Sequence, residues 1–280
     1  MSAAAHTLDL TPEYAFTDAH FALLRTLVMR HASIDMGEVK RPLVYGRLAR
    51  RIRALELSGF DAYCDLLTRE HGAETENFVN AITTNLTSFF RENHHFEYLA
   101  ETVVPRLQKI KATTRKIRIW SAGCSTGEEP YSIAMTVLEA LADCERWDVE
   151  ILATDIDSSV VATAAAGSYP PSRQQGVGDL RARRWFSHDD RAPGQLQAKR
   201  ELHDVMRFAQ LNLMDRWPLK GPFDAIFCRN VAIYFDQPTR SRLFDRFADV
   251  LAPHGHLFIG HAETMFGTCA RWSCDMPAFI

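Results

Sequence analysis

The chain has 280 residues, with 32 basic against 35 acidic side chains and a formal net charge of −3. Hydrophobic residues make up 46 % and charged residues 24 %, a balance that excludes a mainly disordered chain, a collagen and a coiled-coil rod. It also speaks against a general polyanion binder, so no nucleic-acid partner is expected. The first 21 residues carry no basic stretch followed by an apolar one, and no run approaches the roughly 20 apolar residues that span a bilayer. Neither a signal peptide nor membrane insertion is expected, and six scattered cysteines suit a reduced, cytoplasmic setting. Cys269 and Cys274 follow His254, His256 and His261, but their spacing matches no usual zinc pattern, so no metal is expected.

The N-terminal part reads as helices. Thr17 can cap a helix with Phe21, Leu24, Leu27 and Val28 on one side. A second runs from about Pro42 to Leu57, with Val44, Leu48, Ile52 and Leu55 at helical spacing, and Ser58-Gly59 ends it. Phe60, Tyr63, Leu66 and Leu67 mark a third, and Phe78 to Leu86 a fourth. Near residue 117 the period changes. Ile117, Ile119 and Trp120 signal a strand, followed by a Gly-rich turn and a helix from Pro130 to Leu141. Val149 to Thr154 and Phe223 to Phe227 are further strands, Pro238 to Leu251 an amphipathic helix, and Leu257 to Ile259 another strand. Strands alternating with helices of this size predict a parallel sheet covered on both faces. Between about residues 170 and 205 the pattern is lost, which reads as an insertion.

In such a sheet ligands bind at the carboxyl ends of the strands. The first strand leads into Ser121-Ala122-Gly123-Cys124-Ser125-Thr126-Gly127-Glu128-Glu129-Pro130. Glycines there let the backbone approach a ligand, but no Lys follows Gly127, so a P-loop is excluded. Glu128 and Glu129 would repel a pyrophosphate. They either suit a ligand with a positive group, such as S-adenosylmethionine, or merely complement the helix dipole. Asp155 ends the second strand, where an acidic side chain accepts hydrogen bonds from ribose hydroxyls. Asp157 is placed as the cap of the next helix. Gln210-Leu211-Asn212-Leu213 could flank an adenine, or Asn212 could be a turn residue. Arg229-Asn230-Val231 and Tyr234 follow another strand end. Thr87-Ser88-Phe89-Phe90-Arg91-Glu92 could face the same crevice, its two aromatics and Arg91 lining a carboxylate pocket, the plainer alternative being domain-interface packing for the two phenylalanines and a surface ion pair for Arg91.

Four of these segments together resemble the chemotaxis receptor methyltransferases of the CheR type. They are Asn85 to Arg91, Trp120 to Ser132, Thr154 to Asp157 and Phe227 to Val231, and the resemblance runs from about Thr11 to Glu263. It implies an α/β fold: a Rossmann-like S-adenosylmethionine-dependent methyltransferase domain with an N-terminal all-α domain and a small antiparallel β insertion. The expected division is 1–84 for the helical, receptor-recognising domain and 85–116 for a linker and first helix. The methyltransferase domain then takes 117–280, with its insertion at about 172–207. The implied activity is methyl esterification of glutamate side chains on the cytoplasmic helical region of chemoreceptors, leaving S-adenosylhomocysteine. The implied cofactor residues are Asn85, Thr87, Arg91, Gly123, Glu128 or Glu129, Asp155, Asn212, Leu213, Arg229, Asn230 and Val231, with Arg91 and Tyr234 at the reacting centre. Some members carry a Gly-rich, Arg-containing hairpin that grips a receptor's C-terminal peptide. Ser187 to Gly194 lacks its Gly-x-Gly pattern, so such tethering is not carried over. The tail after Glu263 also matches poorly. An alternative of another class is a non-catalytic sensor or scaffold that binds S-adenosylmethionine or its product.

From Glu38 to Arg53 there are six basic residues against one acidic, a local balance of +5. Arg47, Arg50 and Arg51 share one helical face. That face is either a solvated surface or a dock for an acidic partner helix, such as a receptor segment bearing several glutamates.

Overall fold

The computed structural model describes residues 13–69, 72–188 and 192–263. Cys269, Cys274, residues 189–191 of the expected hairpin stretch and the tail beyond Glu263 lie outside the described residues. The chain divides into two compact units, one ending at Ile82 and the other holding residues 32–34 and everything from Thr83 onward.

The first unit is helical. Its elements are α1 (Asp18–Ala32), α2 (Arg41–Ala54), α3 (Phe60–Arg69) and α4 (Ala73–Ile82). Thr17 starts α1 as expected, and the bond is reciprocal. The His20 N–H donates to Thr17 Oγ1 and the Thr17 N–H to His20 Nδ1, each at 3.2 Å, so His20 plays the part a Glu has in a capping box. The predicted stripes are the core: Phe21, Leu24 and Val28, then Val44, Leu48 and Ile52, then Phe60, Tyr63 and Leu67, all buried. The fourth helix begins and ends earlier than the expected Phe78–Leu86. The shift brings Glu74 into its first turn, where Arg51 Nε donates to Oε1 at 2.9 Å, Arg51 Nη2 meets Oε2 at 2.5 Å and the Tyr63 hydroxyl donates to Oε1 at 2.9 Å. Burial would raise the Glu74 carboxyl, but Arg51 and Tyr63 outweigh it and hold it below the usual carboxylate range.

The second unit opens with α5 (His94–Tyr98), continued through one wider turn into α6 (Val104–Ile110). Then follow β1 (Lys116–Ala122), α7 (Glu128–Ala140), β2 (Asp148–Asp155) and α8 (Ser158–Ala166). The inserted stretch contains β3 (Ser168–Tyr169), α9 (Asp179–Trp185), β4 (Phe186–His188), β5 (Leu196–Ala198) and α10 (Arg200–Asp204). The chain returns through β6 (Met206–Gln210), β7 (Phe223–Cys228), α11 (Gln237–Val250) and β8 (Leu251–Ile259). Five strands form a parallel sheet in the order β6-β2-β1-β7-β8, and β3-β5-β4 form a small antiparallel sheet. The order reverses at β1, between β2 and β7, so the crevice of this sheet opens at the carboxyl ends of these three strands. β7 is buried along its whole length, whereas β6 is a mostly exposed edge strand with no apolar run to announce it. Helix α7 starts two residues before the expected Pro130, because left-handed Gly127 ends the turn there. Asp157 caps α8, its Oδ1 accepting from the Ser159 and Val160 amides. Among the described residues no helix is long and apolar enough to cross a membrane.

Removing Arg51 leaves Glu74, only 8 % exposed, without its cation. Arg51→Ala is expected to cost about 1–3 kcal/mol of stability at neutral pH, read by urea denaturation. Because the folded Glu74 carboxyl is depressed, the pair contributes above the unfolded carboxylate value and is lost as pH falls through the folded one. The difference between variant and wild type should therefore shrink in acid.

Candidate active site

The turn after β1 is held to the neighbouring strand. The Gly123 and Cys124 amides both donate to the Thr154 carbonyl, at 2.8 and 2.9 Å. Gly123 has φ +102°, and a Cβ there would stand 2.3 Å from Val231 Cγ2. The glycine lets this turn lie directly against the loop that follows β7, so two of the predicted segments meet side by side. The Ser125 amide donates to Asp155 Oδ2 at 2.8 Å, and the Asp157 amide to Oδ1 at 3.0 Å. Asp155 is therefore aimed by the backbone, with each oxygen keeping acceptor capacity. Burial pushes its carboxyl up against the pull of these amides.

The segment before α5 joins the same cluster. Ser125 Oγ donates to the Asn85 carbonyl at 3.0 Å, and Asn85 Nδ2 donates to Asp157 Oδ2 at 2.8 Å. Thr83 Oγ1 donates to that same oxygen at 2.9 Å. Thr87 is half-buried. Phe89 and Phe90 are packed within the core of the second unit, Phe89 edge-on to Tyr169 and Phe186 and Phe90 edge-on to Phe96. Arg91 makes no ion pair among the described residues; its Nη1 donates to the Leu86 carbonyl at 2.9 Å.

Arg229, at the end of β7, ties these pieces together. Its Nη1 donates to Glu129 Oε2 at 3.0 Å, and its Nη2 lies 3.1 Å from Glu92 Oε2 and also donates to the Arg91 carbonyl. Ser121 Oγ donates to the other Glu129 oxygen at 2.8 Å. The Arg229 side chain is 3 % exposed, and its Nε is buried without an acceptor among the described residues. Burial pushes the Glu129 carboxyl up even so, whereas Arg229 overcomes burial at Glu92 and holds it low. Glu128 points elsewhere: its buried carboxylate accepts from Thr126 Oγ1 at 2.6 Å and Arg173 Nη1 at 2.7 Å. The two neighbouring glutamates thus divide, Glu129 toward the strand ends and Glu128 toward the insertion.

Asn230 has φ +59° and Val231 lies on Gly123, while Tyr234 sits half-buried in the single turn Ala232–Tyr234. Asn212 closes its own turn, its Oδ1 accepting the Met214 amide at 3.0 Å, and Leu213 is buried in the apolar core. That turn is anchored beside the crevice by the Leu211 amide, which donates to the Asp155 carbonyl at 2.8 Å. Glu263 is a member of the cluster that sequence reasoning missed, and Glu92 closes the expected Thr87–Glu92 segment without a role assigned to it. Glu92 immediately follows Arg91, and a charge able to meet the buried Arg229 was the available signal. Glu263 follows the last strand with nothing in its neighbourhood to announce a role.

In the helical unit the basic face is divided as well. Arg47 Nη1 donates to the Ala81 and Ile82 carbonyls at the end of α4, at 3.2 and 2.9 Å, and Arg51 pairs with Glu74. Arg50 is exposed. Among the described residues no group of His, Cys, Asp and Glu is arranged to hold a metal ion.

Deleting the central cation would strand two largely buried carboxylates. Arg229→Met is expected to cost about 3–5 kcal/mol in urea denaturation near neutral pH. Glu129 in the variant, raised further, would make stability fall as pH rises through its folded value. The deficit relative to wild type should therefore narrow from about pH 7 to about pH 5.

Residues 85–277 match the family described as "CheR methyltransferase, SAM binding domain", and residues 19–83 match "CheR methyltransferase, all-alpha domain". The chain is 44 % identical to a probable chemotaxis protein methyltransferase of Rhizobium etli, over 86 % of this chain and 91 % of that protein. It is 45 % identical to chemotaxis protein methyltransferase 2 of Pseudomonas aeruginosa, over 90 % and 88 % of the two chains. It is 42 % identical to the chemotaxis protein methyltransferase of Escherichia coli K12, over 91 % and 88 %. With the parallel sheet, the all-α unit and the small antiparallel insertion in place, the chain belongs to the CheR methyltransferases, and S-adenosylmethionine is its cofactor.

Proposed function

We propose that this methyltransferase esterifies glutamate side-chain carboxylates of chemoreceptors, giving γ-glutamyl methyl esters on their cytoplasmic helical region. The observation that carries the reading is the donor set at the carboxyl ends of β1, β2 and β7. With it belong an aimed carboxylate, Asp155, and two arginines, Arg91 and Arg229, of which Arg229 keeps a buried N–H without an acceptor among the described residues. A carboxylate acceptor for ribose hydroxyls and cationic donors for a carboxylate group fit S-adenosylmethionine and would not suit a pyrophosphate.

In this reading Asp155 receives the ribose hydroxyls, and Asn212 and Leu213 bound the adenine side. Gly123 keeps the turn low. Asn85, Thr87, Arg91, Glu129, Arg229, Asn230 and Val231 surround the amino-acid end. Glu128 acts from behind, fixing Thr126 and Arg173 rather than touching the cofactor. The bound cofactor supplies a sulfonium methyl, a strong electrophile. The acceptor carboxylate is ionised at neutral pH, so the chain has no proton to remove from it. What remains for the protein is to hold a carboxylate oxygen in line with the S–CH₃ bond at roughly 3 Å and to exclude water. Arg91 and Tyr234 are assigned to that task. Charge disappears on both partners as the transition state forms, so tight pairing of the carboxylate in the ground state would slow transfer. Tyr234, donating a single neutral hydrogen bond, is the milder of the two. Arg50 presents the exposed charge of the helical unit to an acidic receptor helix.

Tritium from labelled cofactor should appear on a receptor-containing membrane fraction and leave as volatile methanol in mild alkali. Label that survives alkali would mean an amine or ether product, and cofactor binding without transfer would favour a sensor. Asp155→Ala is expected to weaken S-adenosylmethionine binding by about 1–3 kcal/mol in calorimetry; an unchanged dissociation constant would overturn the ribose assignment. Arg91→Ala and Tyr234→Phe should lower turnover more than they lower the thermal midpoint.

A further inference from the structure

The backbone amides of the loop after β7 are held by one side chain from outside it. Glu263 Oε2 accepts from the Gly260 amide at 2.6 Å and the Asn230 amide at 2.9 Å. Its Oε1 accepts from the Val231 amide at 3.0 Å and the Ile233 amide at 3.3 Å. Residues 230–234 follow the strand end with Asn230 left-handed and only a single helical turn at Ala232–Tyr234. The amides of Asn230, Val231 and Ile233 therefore lack sheet partners, and one carboxylate serves them instead. Glu263 is 8 % exposed. The space around it is closed. A Cβ on Gly260 would stand 2.0 Å from Asn230 Nδ2 and 3.0 Å from Glu263 Oε2, so only a glycine lets the end of β8 come this close to the loop. The clamped residues include Val231, which lies on the Gly123 turn, and they lead directly into Tyr234.

We propose that Glu263 is a positioning residue for methyl transfer. Its carboxylate holds the Asn230–Ile233 backbone in the one arrangement that sets Val231 on the cofactor turn and delivers Tyr234 to the reacting centre. The inference rests on the proposed function for the role of Tyr234, but its cofactor arm does not depend on the identity of the methyl acceptor. A carboxylate is the group the geometry requires. Four amides need four lone pairs, two on each oxygen, and an amide side chain offers acceptors at only one end. Glu263→Gln would turn an NH₂ group toward two backbone donors. Its neighbours would have to rotate away, carrying the loop with them.

The test measures S-adenosylmethionine affinity by calorimetry, turnover and KM on receptor membranes, and the thermal midpoint, for wild type, Glu263→Gln and Gly260→Ala. Binding is referred to the folded fraction measured by circular dichroism. Glu263→Gln should weaken cofactor affinity per folded molecule by about tenfold to a hundredfold and lower kcat. KM for receptor should change less than kcat, because Tyr234 is the loop's one assigned contact with the acceptor and Arg50, on the helical unit, is the assigned dock. Gly260→Ala retains the carboxylate but displaces the loop, and it should reproduce the loss. It also decides the matter if Glu263→Gln fails to fold. A lowered midpoint with wild-type affinity and kcat per folded molecule would make Glu263 a fold-stabilising residue only and overturn the proposal. So would Gly260→Ala with wild-type affinity and turnover. If wild type transfers no alkali-labile methyl to receptor yet the variants lose cofactor affinity, the substrate reading fails and the clamp stands.

Discussion

A guanidinium with almost no access to water sits where three parts of the second unit converge. Arg229 reaches Glu129 in the first turn of α7, Glu92 just before α5, and the carbonyl of Arg91. Burying that charge is costly, and removing any one partner would leave another exposed to a low-dielectric surrounding without compensation. The segment carrying Arg91 and the Gly-rich turn are consequently not independent loops. Their positions are fixed against the end of β7 by the same ion. The arrangement is strict in geometry and weak as a source of net stability, which is the usual balance for a buried ion network.

Periodicity disclosed most of the architecture. The stripes of Phe21 to Val28 and Val44 to Ile52 are core, and the strand ends at Ala122, Asp155 and Cys228 all face the crevice of one parallel sheet. What periodicity missed has a physical cause in each case. β6 is an edge strand with Arg207, Ala209 and Gln210 toward solvent, so it lacks the continuous apolar run of its neighbours. α4 starts ahead of the expected Phe78 because Glu74 is a buried charge satisfied by Arg51 and Tyr63, and a lone glutamate in the sequence carries no sign of its partners.

The candidate site was legible where a residue type is tied to a position at a strand end, as with Asp155 and Arg229. It was illegible where function depends on pairing across long sequence distance. Glu128 and Glu129 are neighbours of identical chemistry, and only the direction of α7 sends one to Arg229 and the other to Arg173. Arg47 and Arg51 likewise share the face that helical spacing predicts, but the carbonyl ends of α4 and the Glu74 carboxylate take up their donors. The resemblance to a known family located the cluster; the contacts decide which members touch one another.

Asp157 divides its two oxygens between different tasks. One caps α8, and the other receives Thr83 Oγ1 and Asn85 Nδ2. The short segment leaving the helical unit is thereby covalently continuous with one domain and chemically owned by the other. A modular exchange that joined this methyltransferase unit to a different recognition module at Leu86 would orphan an oxygen of Asp157 by removing the Thr83 and Asn85 side chains that donate to it. The natural seam for recombination, by evolution or by hand, lies ahead of Thr83, and three residues of apparent linker travel with the catalyst.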